Sequence, residues 1–126
     1  MDYKNIKETY PKTVQAMEEY VMNQHKAVLD KMIKEHPELE SEMSNFLTAD
    51  TVKEMLGMSV EYSPVSLLEF FDTVGIKIAI LPHPEDEALW VHYSSVNKAS
   101  KTAPSRVKAV EESILDAFNT YENKEV

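Results

Sequence analysis

The sequence predicts an α+β protein, and three observations carry that reading. Apolar residues recur at helical spacing from Pro11 to Glu35. Ile76, Ile78 and Ile80 alternate with Lys77 and Ala79 at the period of a strand. The run from Pro104 to Glu122 again places its apolar residues on one helical face. At 126 residues the chain fits one domain spanning 1–126. A helical part over 1–62 is expected to be followed by a helix–hairpin–helix part over 63–123.

Residues 1–10 read as a polar lead-in with Tyr3, Ile6 and Tyr10 as anchors. Pro11 suits the first turn of a helix. Val14, Met17, Val21, Gln24 and Val28 then follow one face, with Glu18 and Glu19 early and Lys31 and Lys34 late, as the helix dipole favours. This helix is expected over 11–35, ending at His36-Pro37. A second helix over 37–47 carries Leu39, Met43, Phe46 and Leu47 on one edge. A third, over 50–57, is capped by Thr48 or Asp50, has Glu54 reaching back, and ends at Gly57. Val60–Tyr62 reads as extended.

Ser63 and Pro64 form an N-cap and first turn for a helix over 64–74. Leu67, Leu68, Phe70, Phe71 and Val74 make it apolar on most sides, so it is either buried or shares its surplus with a partner. Gly75 ends it. A β-hairpin over 76–82 and 88–94 follows, joined by the turn residues His83, Pro84, Glu85, Asp86 and Glu87. The isoleucine face of the hairpin is expected inward. On the return strand Leu89, Val91 and Tyr93 share one face; Trp90 and His92 share the other, beside Lys77. The stretch 94–102, rich in Ser and Lys, reads as an exposed loop. The last helix, over 104–122, aligns Val107, Val110, Ile114, Ala117 or Phe118, and Tyr121, and is expected to cover the hairpin. A lone hairpin is marginal in water, so it needs that helix, a third strand or a second subunit.

Composition narrows the function classes. There is no Cys, which removes disulfides, thiol nucleophiles and Cys-based zinc sites. The opening residues lack the apolar region of a secretory signal, and no apolar run approaches the ~20 residues of a membrane helix. The expectation is a cytoplasmic protein away from membranes. The net charge is −9, shared between the segment before Ser63 (7 basic, 12 acidic) and the segment from it (6 basic, 10 acidic). Such a surface repels phosphate backbones and disfavours direct nucleic-acid binding. It serves solubility, or it imitates nucleic acid toward a DNA-binding protein.

Recognisable chemistry is sparse. The four histidines form no HEXXH or H-x-x-x-H pair, and no phosphate loop, dinucleotide fingerprint or nucleophile elbow occurs. His83, Glu85 and Asp86 in the hairpin turn are the best metal candidates; a turn rich in solvated acids explains the same residues. No residue is assigned a catalytic role and no cofactor is implied. Lys98, Lys101, Arg106 and Lys108 form the densest basic run, and ordinary solvent-facing positions account for it. Trp90 and His92, with Leu67, Phe70 and Phe71 on the preceding helix, are the candidate partner-binding residues. Packing under a helix, with the long first helix as a candidate, is the favoured fate of Trp90.

Leu67, Leu68, Phe70, Phe71, Gly75, Ile76, Ile78, Trp90, Arg106, Ala109, Ala117, Phe118 and Glu122, together with the opening YKNIKETYPKTVQAMEEYV, resemble a group of small proteins of Bacteroides-type bacteria and of their phages and prophages. The resemblance implies an α+β fold and a mobile-element or phage setting, and no activity. The reading that follows is a small acidic accessory protein that works by binding a protein partner or a second copy of itself. The alternatives are a nucleic-acid-mimicking inhibitor and a metal- or carboxylate-dependent hydrolase.

Overall fold

The computed structural model describes residues 1–43, 48–96 and 98–124. Its longest element, α2, spans Pro11–Glu35, as the periodicity predicts, with Pro11 in its first turn. Its buried residues, Thr13, Val14 and Met17, all lie in the first two turns. Farther along, Val28 and Met32 are exposed, so the stripe is core only near its start.

The lead-in is itself helical: α1 covers Tyr3–Thr9. The Asp2 side chain accepts from the Lys4 N–H and caps it, while Ile6 enters the core. A 3₁₀ turn, Pro37–Leu39, leads into α3 (Glu40–Met43). The rest of the helix expected over 37–47, with Phe46 and Leu47, lies outside the described residues.

α4 runs from Ala49 to Tyr62, five residues past the expected end. Thr48 caps it by accepting from the Thr51 N–H. Val52, Leu56 and Val60 are spaced by four and buried, which carries the helix through the segment expected to be extended. Gly57 is therefore no helix end. A Cβ at Gly57 would stand 3.2 Å from the Tyr3 ring, so its lack of a side chain lets α1 cross α4 closely.

Ser63 makes no side-chain cap. Its carbonyl instead accepts from Ser66 N–H and Oγ, setting a 3₁₀ turn (Pro64–Leu67) that continues as α5 (Leu68–Thr73). Gly75 then takes a left-handed conformation (φ +84°), the helix stop that the sequence predicts.

Three strands follow as an antiparallel meander in the order β1 (Ile78–Pro82), β2 (Trp90–Ser94), β3 (Ser100–Ala103). The third strand was expected to be loop. β1 and β2 pair Ile78 with Ser94, Ile80 with His92 and Pro82 with Trp90; β2 and β3 pair Trp90 with Ala103 and His92 with Lys101. α6 (Arg106–Glu122) begins two residues later than expected, capped by Ser105, which accepts from the Lys108 N–H.

One core joins both halves of the chain. Ile6, Val14, Met17, Leu56 and Val60 meet Phe70, Phe71, Ile114 and Phe118. Phe118 stacks on Tyr10 and meets Phe71 edge-on, and Phe70 touches Tyr20, Phe71 and Tyr121. The two ends of the core are tied by one carboxylate. Glu122, at the end of α6, accepts from the backbone N–H groups of Lys12 and Thr13 and from Thr13 Oγ1, supplying the cap that α2 lacks locally. Partial burial would raise the Glu122 pKa; these hydrogen bonds and the nearby Lys12 charge outweigh it and hold the carboxyl below its ordinary range.

Candidate interaction surface

In a strand, alternate residues point to opposite faces, and directly paired residues on neighbouring strands share a face. The register therefore sorts the sheet into two surfaces. Ile78, Ile80, Trp90, His92, Ser94, Lys101 and Ala103 lie on one; Ala79, Leu81, Val91, Tyr93, Ser100 and Thr102 lie on the other.

α6 covers the first surface. His92 is buried (3 % exposed), with Nε2 3.1 Å from Glu112 Oε2 on the helix. One turn on, Asp116 Oδ2 accepts from Lys101 Nζ at 2.9 Å. The Arg106 guanidinium lies over the Trp90 ring, 5.8 Å from its centroid. Ala109, Ser113 and Ala117 keep α6 close to the strands, and Ser113 Oγ is satisfied by the Val110 carbonyl. No buried side-chain nitrogen or oxygen among the described residues is left without a partner. The covered face is thus partly polar: His92 and Lys101 are met by acids spaced four apart on α6, and Ser94 Oγ accepts from the Val96 N–H.

Packing under a helix, the favoured fate of Trp90, is the one observed, and the helix is α6. Trp90 and His92 face the helix, not solvent. Leu67, Phe70 and Phe71, the other candidate partner residues, are also in the core: Phe71 is fully buried and the other two are buried. The surplus apolar character of the 64–74 segment is spent on neighbouring helices.

The second surface is bare. Leu81 is 60 % exposed and Tyr93 38 %, Val91 is half-buried, and Ala79, Ser100 and Thr102 are exposed. An antiparallel sheet that meets water on one side ordinarily turns polar residues to it. Here the solvent side holds Ala79, Leu81, Val91 and Tyr93 beside the polar Ser100 and Thr102 of β3, while the polar His92 and Ser94 are buried on the helix side and Lys101 stays exposed.

The two ends of this bare face differ in charge. At the β1–β2 end, Glu85, Asp86 and Glu87 are exposed and in no ion pair among the described residues. His83 shapes that turn: Nδ1 accepts from the N–H groups of Glu85 and Asp86 at 3.1 and 3.0 Å. That lone pair is already used, and no group of three or more His, Asp or Glu placed to hold a metal ion occurs among the described residues. His83, Glu85 and Asp86 form a turn, with Asp86 Oδ1 accepting from the Ala88 N–H. At the opposite end stand Lys77, 3.7 Å from Asp72, and Lys98, exposed and in a left-handed conformation (φ 53°) in the β2–β3 connection.

Elsewhere the surface offers shallow clefts. One, of ≈ 500 Å³, is lined by Tyr62, Pro64, Val65, Arg106 and Val107; another, between α2 and α4, by Gln15, Glu18, Glu19 and Met22. Neither contains a histidine. Burial, with the neighbouring Glu18 carboxylate, raises the pKa of Tyr3, whose hydroxyl donates to Glu18 at the α1–α2 crossing. No helix among the described residues is long and apolar enough to cross a membrane.

Sequence reasoning missed this surface because Ala79, Leu81, Val91 and Tyr93 are as fit for a core as the residues on the opposite face, so alternation alone does not mark them as exposed. No protein-family model, curated protein or solved structure matches the chain.

Proposed function

We propose that this is a small acidic accessory protein that acts by binding a protein chain and catalyses no reaction. The observation that carries the reading is the bare face of the sheet, where Leu81, Val91 and Tyr93 stand together in solvent. Exposed apolar side chains clustered on a rigid sheet are a characteristic of docking surfaces, and Tyr is enriched at their energetic centres. The nucleic-acid-mimic reading gains less support. Carboxylates are interleaved with lysines, as in Lys7–Glu18, Lys101–Asp116 and Lys108–Glu111, and do not run as an unbroken stripe there.

A photoreactive side chain tests the reading. Tyr93→p-benzoylphenylalanine, irradiated in the cells that express the chain, is expected to give a discrete protein adduct. The same replacement at Glu61, exposed on α4 and outside the sheet, is expected to give none. Absence of any adduct at position 93, or equal adducts at both positions, would overturn it.

A further inference from the structure

The charge at the two ends of the bare face identifies an occupant. The face ends in three unpaired acids, Glu85, Asp86 and Glu87, on one side, and in Lys98 with the Lys77–Asp72 pair on the other. Such a surface is complementary to itself. Two copies can stack their bare faces about either of two in-plane two-fold axes. An axis along the strands sets acid on acid. An axis across the strands reverses the partner's strand direction and sets the acid turn of each copy over Lys98 of the other. We propose that the bare face is covered by a second copy of this chain, stacked with β2 antiparallel to the partner's β2 at the crossing angle usual for aligned sheets. This rests on the protein-binding reading above and supplies its partner.

Two features set the strength. Three strands of four or five residues present a face of only about 17 by 14 Å. That is small against the roughly 800 Å² each partner gives to a stable complex. Each copy also carries −9, and the resulting repulsion is screened only beyond about 8 Å at physiological salt. The dimer is therefore weak and assembles as concentration rises.

Sedimentation of the purified full chain, from a few µM to about 1 mM, reads the association directly. The wild type is expected to pass from monomer to dimer. Leu81→Asp is expected to weaken association at least tenfold while leaving the circular dichroism spectrum unchanged. Lys98→Glu alone, and Glu85→Lys with Glu87→Lys, are each expected to weaken self-association, since each makes both junctions like-charged. An equimolar mixture of these two variants is expected to form a heterodimer, because both junctions are again opposite in charge. A wild type that stays monomeric throughout, a dimer indifferent to Leu81→Asp, or a mixture that gains nothing over its components would each overturn the proposal. A monomeric wild type combined with a Tyr93 adduct to a different protein would overturn only the identity of the partner.

Discussion

On the side of the sheet that meets α6, the strands present His92, Ser94 and Lys101 among Ile78, Ile80 and Trp90. On the side that meets solvent they present Ala79, Leu81, Val91 and Tyr93, with Ser100 and Thr102 on the edge strand. The usual arrangement of an antiparallel sheet puts polar residues outward. Here His92 is inside because Glu112 on α6 satisfies it, and Leu81 and Tyr93 are outside because nothing among the described residues covers them. Burial therefore follows partners as much as hydrophobicity: a polar side chain with a hydrogen-bonding neighbour is buried at modest cost. An apolar face without a neighbour is left for another chain.

Three substitutions sharpen the contrast, from the largest effect down. Phe118 is fully buried between Tyr10 and Phe71 and anchors α6 to the helices. Phe118→Ala is expected to cost about 3–5 kcal/mol in denaturant unfolding. Glu112→Ala leaves His92 buried without its hydrogen bond and is expected to cost about 1–3 kcal/mol; Glu112→Gln, which keeps an acceptor, is expected to recover much of that. A Glu112→Ala protein as stable as wild type would mean that α6 does not hold the covered face as described.

The smallest effect concerns the tether at the far end of α6. The Glu122 carboxyl has a lowered pKa in the folded protein, so its bonds to Lys12 and Thr13 contribute stability above the unfolded value. That contribution is lost as pH falls through the lowered value. Glu122→Gln is expected to cost about 1 kcal/mol near neutral pH, the usual worth of a helix cap, and to converge on wild type in acid. Thermal melting of both proteins across pH 2–7 checks the convergence.

Much of the fold is legible in the sequence, because strong local signals agree with the packing. Pro11, Pro37 and the Val14/Met17 periodicity bound α2, and Gly75 marks a left-handed stop where it was expected. The errors fall where a residue type has two physical uses. Gly57 looks like a helix end and is a close crossing beneath Tyr3. Ser63 looks like a side-chain cap and contributes its carbonyl. Ser100–Ala103 is too short and polar to read as a strand, and becomes one by pairing with β2. The bare face of Leu81, Val91 and Tyr93 was not singled out for a related reason. Trp90 and His92 share a face, as the alternation says, but a seven-residue turn (83–89) leaves the phase of that face free, and Glu112 and Asp116 set it from a distant helix.

The assignment of the two faces can be tested at two consecutive positions of β1. Ile80, opposite His92, points to α6; Leu81, opposite Val91, points to solvent. In guanidinium unfolding, Ile80→Asp is expected to cost about 3 kcal/mol, as a charge placed under the helix. Leu81→Asp is expected to stay within about 1 kcal/mol of wild type, the span of strand propensity, while abolishing association in sedimentation. Equal losses of stability at both positions, or association retained by Leu81→Asp, would contradict a bare docking face on this sheet.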